Sequence, residues 1–115
     1  MTTNAAPRGL KGPGKALWQA TVAEFELSSP ELGLLAEACR TRDELERLTI
    51  ALAGAELLVI GSMGQPRPNP LLDEARKHRE TMGRLLALLR PVEDEPTRGR
   101  PAARVPQPRR IRDAS

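Results

Sequence analysis

Aromatic side chains are almost absent from this 115-residue chain, which has one tryptophan, one phenylalanine and no tyrosine. A core must therefore be built mainly from leucine, alanine, valine and isoleucine. Cysteine is equally scarce, because Cys39 is the only one. One cysteine excludes an internal disulfide and a cysteine-based zinc cluster, and it favours an intracellular chain. Since Cys39 falls among apolar positions, we expect a small core side chain and not a nucleophile.

Long apolar runs are also missing. No segment approaches the roughly 18 apolar residues of a membrane span, and residues 1–14 lack the apolar stretch of a signal peptide. We therefore expect a protein that does not enter a membrane and is not exported. The length allows one domain. A folded part limited to residues 15–90 would be marginally stable alone, which favours self-association.

The charge is unevenly distributed along the chain, although the net charge is only +3. Residues 1–15 carry three basic residues and no acid, and residues 96–115 carry six arginines and one acid, so the segment between them is net acidic. This asymmetry indicates an acidic polymer or an acidic protein surface as partner. Proline and glycine accompany the basic ends. We therefore predict a flexible basic arm at 1–14, a helical oligomerisation core at 15–90 and a disordered tail at 91–115.

The clearest element is one long helix over residues 30–53. Ser29 is suited to cap it, Pro30 to begin it, and Glu31 to lie at the positive end of its dipole. Apolar residues recur at steps of three and four and predict a single buried face. That face comprises Leu32, Leu35, Cys39, Leu45, Leu48 and Leu52.

Charged residues in the middle of this helix predict a soluble outer side. The pairs at i,i+4 are Arg40 with Glu44, Arg42 with Glu46, and Asp43 with Arg47. Each pair contributes only about 0.2–0.5 kcal/mol on an exposed face.

Two further helices are predicted to cover the long one. The first runs over 15–25, with Trp18, Val22 and Phe25 on its buried face and Trp18 as its anchor. The second runs over 70–90, where Asn69 marks the start and Pro91 follows the end. Between the long helix and the helix over 70–90, residues 57–64 could form a short hairpin or a frayed helix end, and we favour the hairpin. The following QPRPNP segment is predicted to be an extended connector.

The segment GLKGPGKA approaches the phosphate-loop pattern, because Gly9, Gly14 and Lys15 have the required spacing. Ala16, however, stands where a magnesium-binding hydroxyl is needed. No apolar strand precedes Gly9, and the chain is too short for the usual parallel-sheet domain. We therefore expect no nucleotide binding and no cofactor.

A basic cluster, residues 76–79, lies in the last predicted helix. It could contact phosphates, or it could be a solvated face balanced by Asp73, Glu74 and Glu80. His78 with Asp73 and Ser62 does not make a hydrolytic set, since helical pitch separates residues 73 and 78 and no oxyanion motif accompanies them. The sequence therefore predicts neither an enzyme nor a metal site.

Five short segments, taken in order, resemble the small subunits of tailed-bacteriophage terminases. They are LW at 17–18 after a glycine-rich lead, LLAEACRTRDELERL at 34–48, the turn at 61–64, NPLL at 69–72 and LLALLRP at 85–91. The resemblance implies a ring of many copies that binds viral DNA near its packaging site. It also implies recruitment or regulation of a large ATPase and nuclease subunit, with no catalysis by this chain. The expected location is the cytoplasm of the infected bacterial host.

Many members of that family carry an N-terminal helix-turn-helix domain, and this sequence shows none. The predicted fold is mainly α: a helical protomer with a long central helix, a possible short hairpin and disordered basic tails, assembled into a ring-like homo-oligomer. The candidate contacts to duplex DNA are Arg8, Lys11, Lys15, Arg76, Lys77, Arg79, Arg98, Arg100, Arg104, Arg109, Arg110 and Arg112. The candidate oligomerisation residues are Leu35, Leu45, Leu48, Leu52, Leu86 and Leu89. The alternative function is a helical adaptor that binds a protein partner without contacting DNA.

Overall fold

A computed structural model describes residues 4–89 and 109–111 of the chain, and it is mainly helical. The elements, in order, are α1 (Gly12–Glu24), β1 (Phe25–Glu26), α2 (Ser29–Ala53), β2 (Leu58–Ile60), β3 (Pro66–Pro68), α3 (Pro70–Leu88) and β4 (Arg109–Arg110). Among these described residues, no helix has the length and apolar content needed to cross a membrane.

The long central helix is confirmed as α2, but its cap lies one residue earlier than predicted. The hydroxyl of Ser28 accepts a hydrogen bond from the Glu31 amide at 3.3 Å, and the Glu31 carboxylate accepts one from the Ser28 amide at 2.8 Å. This reciprocal capping box satisfies two backbone donors at the helix start. Ser28, and not Ser29, therefore caps α2, and Pro30 remains within the first turn.

The first helix begins three residues before its predicted start. Pro13 lies in the first turn of α1, where its missing N–H has no intrahelical partner to lose. The helix ends at Glu24 because the chain becomes extended at Phe25, whose φ and ψ are −125° and 146°. Phe25 thus belongs to β1 and not to the helix.

The N-terminal segment is packed where a flexible arm was predicted. The indole N–H of Trp18 donates a hydrogen bond to the carbonyl of Asn4 at 2.9 Å. Ala6 and Leu10 pack, partly buried, against the core. The apolar side chains of this arm and the single tryptophan therefore order residues 4–11.

The core lies where α1, α2 and the end of α3 meet. Its buried cluster consists of Trp18, Leu35, Cys39 and Leu89. The side chain of Trp18 is buried, which confirms it as the anchor of α1. Leu89 reaches this cluster because α3 starts beside the far end of α2 and runs back along it. Burial raises the pKa of the Cys39 thiol to about 11, so the thiol stays protonated and Cys39 acts as packing, as predicted.

Three of the predicted oligomerisation residues belong to this protomer's own interior. Leu35, Leu45 and Leu89 are all buried within the single chain. Their surface is already covered, so we reassign them from an interface to the core. Leu48, Leu52 and Leu86 are only partly buried.

The predicted hairpin is confirmed, although its second strand comes from the expected connector. β2 pairs antiparallel with β3, with Leu58 opposite Pro68 and Ile60 opposite Pro66. Gly64 has a φ of +82° and donates its N–H to the carbonyl of Gly61 at 2.9 Å, which closes the turn. Glycine adopts this backbone conformation without steric cost. The two prolines are tolerated because both strands of a two-stranded hairpin are edges.

Asn69 joins the hairpin to α3. Its side-chain oxygen accepts a hydrogen bond from the Leu71 amide at 3.0 Å, which confirms the predicted helix start. Its side-chain amide donates to the Glu56 carbonyl at 2.9 Å, and its backbone N–H donates to the Leu57 carbonyl at 2.7 Å. One buried side chain thus fixes both the base of the hairpin and the direction of α3.

Part of the C-terminal segment is a short strand where disorder was predicted. β4 pairs antiparallel with β1, with Arg110 opposite Phe25 and Arg109 opposite Glu26. The predicted disorder of residues 91–108 and 112–115 lies outside the described residues, as do Arg98, Arg100, Arg104 and Arg112.

Candidate nucleic-acid interface

The start of α1 is held by a carboxylate from α2. The backbone N–H of Lys11 donates to Asp43 Oδ2 at 2.6 Å, and that of Gly14 donates to Oδ1 at 2.7 Å. The first N–H groups of a helix have no intrahelical acceptors, so Asp43 supplies acceptors from another element. Its side chain is buried, which corrects the predicted exposed pair with Arg47. The carboxylate ties α1 to α2.

Gly14 permits this contact by bringing the two backbones close together. A Cβ at this position would lie 2.5 Å from the Cys39 carbonyl oxygen and 2.6 Å from Asp43 Oδ2. No other residue fits there without displacing α1 from α2. Gly14 of the phosphate-loop-like segment therefore has a packing role, and its N–H already donates a hydrogen bond to the Asp43 carboxylate.

Four basic residues line one groove beside this contact. Arg8 and Lys11 come from the segment before α1, and Arg40 and Arg47 come from α2. The last two are seven residues apart, so they fall on the same side of the helix. The groove has a volume of about 190 Å³, and we call these four residues and the space between them the basic groove.

The acids that also line the basic groove are engaged elsewhere. Asp43 accepts the two backbone hydrogen bonds of α1. Glu44 lies 2.9 Å from His78 Nε2 on α3. Arg40 pairs with Glu37 at 2.7 Å, whereas none of the ion pairs seen in residues 4–89 and 109–111 includes Arg8, Lys11 or Arg47.

A second cavity adjoins the basic groove, because Glu44 and Arg47 line both. It has a volume of about 390 Å³ and is completed by Leu48, Ala51 and His78. A hydrogen bond between His78 Nδ1 and the Glu74 carbonyl raises the pKa of the imidazole, and the contact with Glu44 raises it further. The basic groove beside α1 and the cavity beside α3 therefore form a continuous surface over α2, lined by basic residues, Glu44 and His78.

The basic cluster on α3 is balanced by acids of its own helix. Arg76 pairs with Asp73 and Glu80, both at 2.7 Å, and Lys77 pairs with Asp73 at 3.2 Å. The hydrogen bond from Arg76 lowers the pKa of Asp73 below its usual value, which keeps this carboxylate ionised. These pairs favour the solvated-face interpretation for Arg76 and Lys77. Arg79 is exposed.

The structure brings together only part of the predicted DNA-binding set. Arg8 and Lys11 share the basic groove, whereas Lys15 is exposed on α1 and does not line it. Arg110 pairs with Glu24 at 3.2 Å and lies 5.5 Å from the centroid of the Phe25 ring. It therefore contacts the acidic end of α1. Arg109 contributes its backbone to β4.

Sequence reasoning missed Arg40 and Arg47. Both were assigned to exposed pairs with acids four residues away. Their seven-residue spacing was the available signal for a shared face, but nothing in the sequence placed Arg8 and Lys11 opposite that face.

Exposed apolar side chains are concentrated on the hairpin. Leu58 is 62% exposed, Ile60 is 74% exposed, and Met63 in the turn is 86% exposed. Leu57 before the strand and Ile50 near the end of α2 are also exposed. These residues, not the buried leucines, form most of the uncovered apolar surface of the described residues.

The described residues contain no cluster of three or more histidine, cysteine or acidic side chains suited to a metal ion. Both ring nitrogens of His78 are engaged by Glu74 and Glu44 and not by Asp73. Comparison of the chain with protein-family models, curated proteins and solved structures finds no match.

Proposed function

We propose that this chain acts as a terminase small subunit. It assembles with copies of itself, binds duplex DNA for viral genome packaging, and recruits or regulates a large ATPase and nuclease subunit. Four of the five resembling segments support this proposal because they occupy definite places in the fold: LW lies in α1, residues 34–48 in α2, the glycine turn at the hairpin tip and NPLL at the start of α3. The chain itself performs no catalysis.

The observation that carries the assembly half of the proposal is the exposed apolar hairpin. Leu58 and Ile60 are two residues apart on a strand, so their side chains point to the same face. Monomeric proteins rarely leave such contiguous apolar surface in water, and exposed patches mark interaction sites. A second copy of this chain is the occupant we assign, because the protomer's own buried core is small for its length.

A self-complementary contact through this hairpin would close a dimer, whereas a head-to-tail contact would form a ring when the rotation between successive copies closes. Both strands of the hairpin are edges that can pair with another strand. Repetition around a ring would also bring the basic groove of each copy to the same level and multiply the phosphate contacts.

Sedimentation velocity at micromolar concentration tests the assembly. We expect the wild-type chain to sediment as an oligomer and the double variant Leu58→Glu, Ile60→Glu to sediment as a helical monomer, because two charges would be buried at the contact. The matched control is Gln19→Glu, Ala20→Glu on the exposed side of α1, which adds the same charge. A monomeric wild-type protein contradicts the assembly, and a hairpin variant that assembles normally contradicts the hairpin as its contact.

Binding of duplex DNA separates the proposal from the protein-adaptor alternative. The basic groove and the arginine-rich C-terminal segment favour DNA over an apolar partner. A fluorescence-anisotropy titration of labelled duplex DNA at low salt should show binding that weakens as salt rises. Capture of the large subunit by a chain with no DNA affinity would establish the adaptor instead.

A further inference from the structure

We propose that the basic groove formed by Arg8, Lys11, Arg40 and Arg47 is a phosphodiester-binding site that contacts the backbone of duplex DNA. The inference rests on the proposed DNA-binding function and assigns its location on the folded part of the chain. The DNA backbone would contact the protein where α1 and α2 meet.

Convergence of side chains from separate parts of the chain is the first support. Arg8 and Lys11 reach the groove from the segment before α1, and Arg40 and Arg47 reach it from positions about two turns apart on α2. Gly9, with a φ of +88°, makes the turn between the two N-terminal residues. The packing of residues 4–11 against the core holds these side chains opposite α2.

Size and shape are the second support. A water molecule occupies about 30 Å³ in the liquid, so a groove of about 190 Å³ has room for a phosphate group with some of its hydration. Guanidinium groups match phosphate oxygens through paired N–H donors, and two of the four basic residues are arginines on one rigid helix. The groove is open to solvent, as a polymer backbone requires.

The local charge balance is the third support. Among the described residues that line the groove, Asp43 is the buried acid, and its two oxygens already accept backbone N–H groups. Glu44 is directed to His78. The side chains of Arg8, Lys11 and Arg47 therefore face the groove without an ion-pair partner among residues 4–89 and 109–111. Four basic residues against Asp43 and Glu44 leave the groove lining with a net charge of +2, which favours a phosphate.

Duplex DNA is preferred to a free nucleotide for a structural reason. The backbone N–H groups that would grip a nucleotide phosphate at the start of α1 are occupied by Asp43. What remains is a set of exposed charged side chains along an open groove, which suits phosphates presented at regular intervals. Arg47 also borders the adjoining cavity, so contacts can extend along α2.

The test compares full-length wild-type protein with the double variant Arg8→Gln, Arg47→Gln in anisotropy titrations of duplex DNA between about 50 and 200 mM salt. Each lost phosphate contact should reduce the log–log salt slope by about 0.9 per protomer. We expect the affinity at the lowest salt to fall by roughly tenfold or more. The matched control is Arg42→Gln, Arg84→Gln, which removes the same charge from α2 and α3 outside both the groove and the hairpin.

An effect confined to the groove variant supports the site. Equal weakening by both variants, or unchanged binding by the groove variant, overturns it while leaving DNA binding by the protein intact. A wild-type chain that binds no duplex DNA overturns the proposed function and the site together. Unchanged circular dichroism and thermal midpoints establish that the exposed substitutions preserve the fold, and Lys11→Gln provides an independent single-site variant.

A second titration distinguishes the source of the phosphate. Inorganic phosphate and ATP with magnesium are titrated calorimetrically into the wild-type protein without DNA. We expect no binding at micromolar concentration. Micromolar binding that is lost in Arg47→Gln would make a free phosphate compound the ligand and overturn the assignment to DNA.

Discussion

The contact between Gly14 and Asp43 decides how the first two helices meet. A carboxylate from α2 accepts the Lys11 and Gly14 amide protons at 2.6 and 2.7 Å, and the absence of a Cβ at position 14 allows the approach. A capping box normally uses two side chains of the same helix. Here one side chain from a neighbouring helix serves both donors, so capping and tertiary packing are a single interaction.

Replacing Gly14 with alanine should destabilise the protein by roughly 1–3 kcal/mol, as overpacking of a tight site does. The added Cβ would overlap the Cys39 carbonyl oxygen and the Asp43 carboxylate. Urea unfolding at neutral pH measures the change in the free energy of unfolding.

Gly33→Ala is the matched control for Gly14→Ala. Gly33 lies within α2, and a Cβ added there would meet no neighbouring side chain and no other segment of the described chain within 4 Å. Alanine should stabilise this helix by about 0.5–1 kcal/mol relative to glycine. A Gly14 variant as stable as the Gly33 variant would show that the helices do not approach as closely as described.

At the scale of elements, one hydrogen-bonded histidine links α2 and α3. His78 Nε2 lies 2.9 Å from Glu44 Oε1, and Nδ1 lies 2.8 Å from the Glu74 carbonyl on its own helix. An imidazolium can donate from both nitrogens at once. Folding therefore favours the protonated form, which is why the pKa of His78 is raised above 6.5. Partial burial of the imidazole opposes this preference, because it disfavours the charged form.

The contribution of the His78 hydrogen bonds to the free energy of unfolding should consequently decrease as the pH rises. The pKa of His78 is higher in the folded state than in the unfolded state. The stabilisation from its protonated form is therefore fully present at pH values below the unfolded-state pKa, and it is lost as the pH rises through the folded-state pKa. The free energy of unfolding of the wild type, minus that of His78→Gln, should be larger at about pH 5.5 than at pH 8.5. A difference of about 0.2–1 kcal/mol is expected for a partly exposed pair.

Urea unfolding at the two pH values measures this difference. Glu44→Gln should diminish it, because the acceptor loses its charge. Glu80→Gln, on the exposed side of α3, should leave it unchanged. An identical pH dependence in His78→Gln and wild type would refute the link.

For the whole molecule, opposite charges occupy different parts of the chain. The ends are basic and the middle is net acidic. The basic groove is an exception, since Arg8 and Lys11 fold back onto two arginines of the middle segment. Arg110 also returns to the folded part and pairs with Glu24. The proposed contacts to a polyanion are thus divided between a folded site and the C-terminal segment.

Deleting residues 96–115 should weaken duplex DNA binding and flatten its salt dependence, because six arginines are removed. The same anisotropy series measures both effects. A companion variant with Arg98, Arg100, Arg104 and Arg112 changed to glutamine retains the contact of Arg110 with Glu24. Agreement between the two variants would attribute the loss to charge and not to β4. Unchanged affinity with failed recruitment of the large subunit would instead assign the segment to that partner.

Much of the helical framework follows from local sequence signals. The periodic leucines of α2, Pro30 in its first turn and Asn69 before α3 each act within a few residues, so they predict where helices lie. Cys39 and Trp18 were likewise predicted as core residues, because apolar side chains on one helix face must be covered.

The glycine turn after residues 57–60 indicated a hairpin. Its second strand was missed because prolines argue against a strand unless that strand is an edge.

The arrangement around Asp43 was decided by the tertiary structure alone. In the sequence Asp43 has Arg47 at i,i+4 and belongs to a charged run, so a surface pair was the natural prediction. Only the approach of α1 buries the carboxylate and supplies two N–H donors that lie 29 and 32 residues away in the chain. The same approach orders residues 4–11 and assembles the basic groove. Periodicity determines which face of a helix is buried, whereas the partner of that face depends on contacts between distant segments.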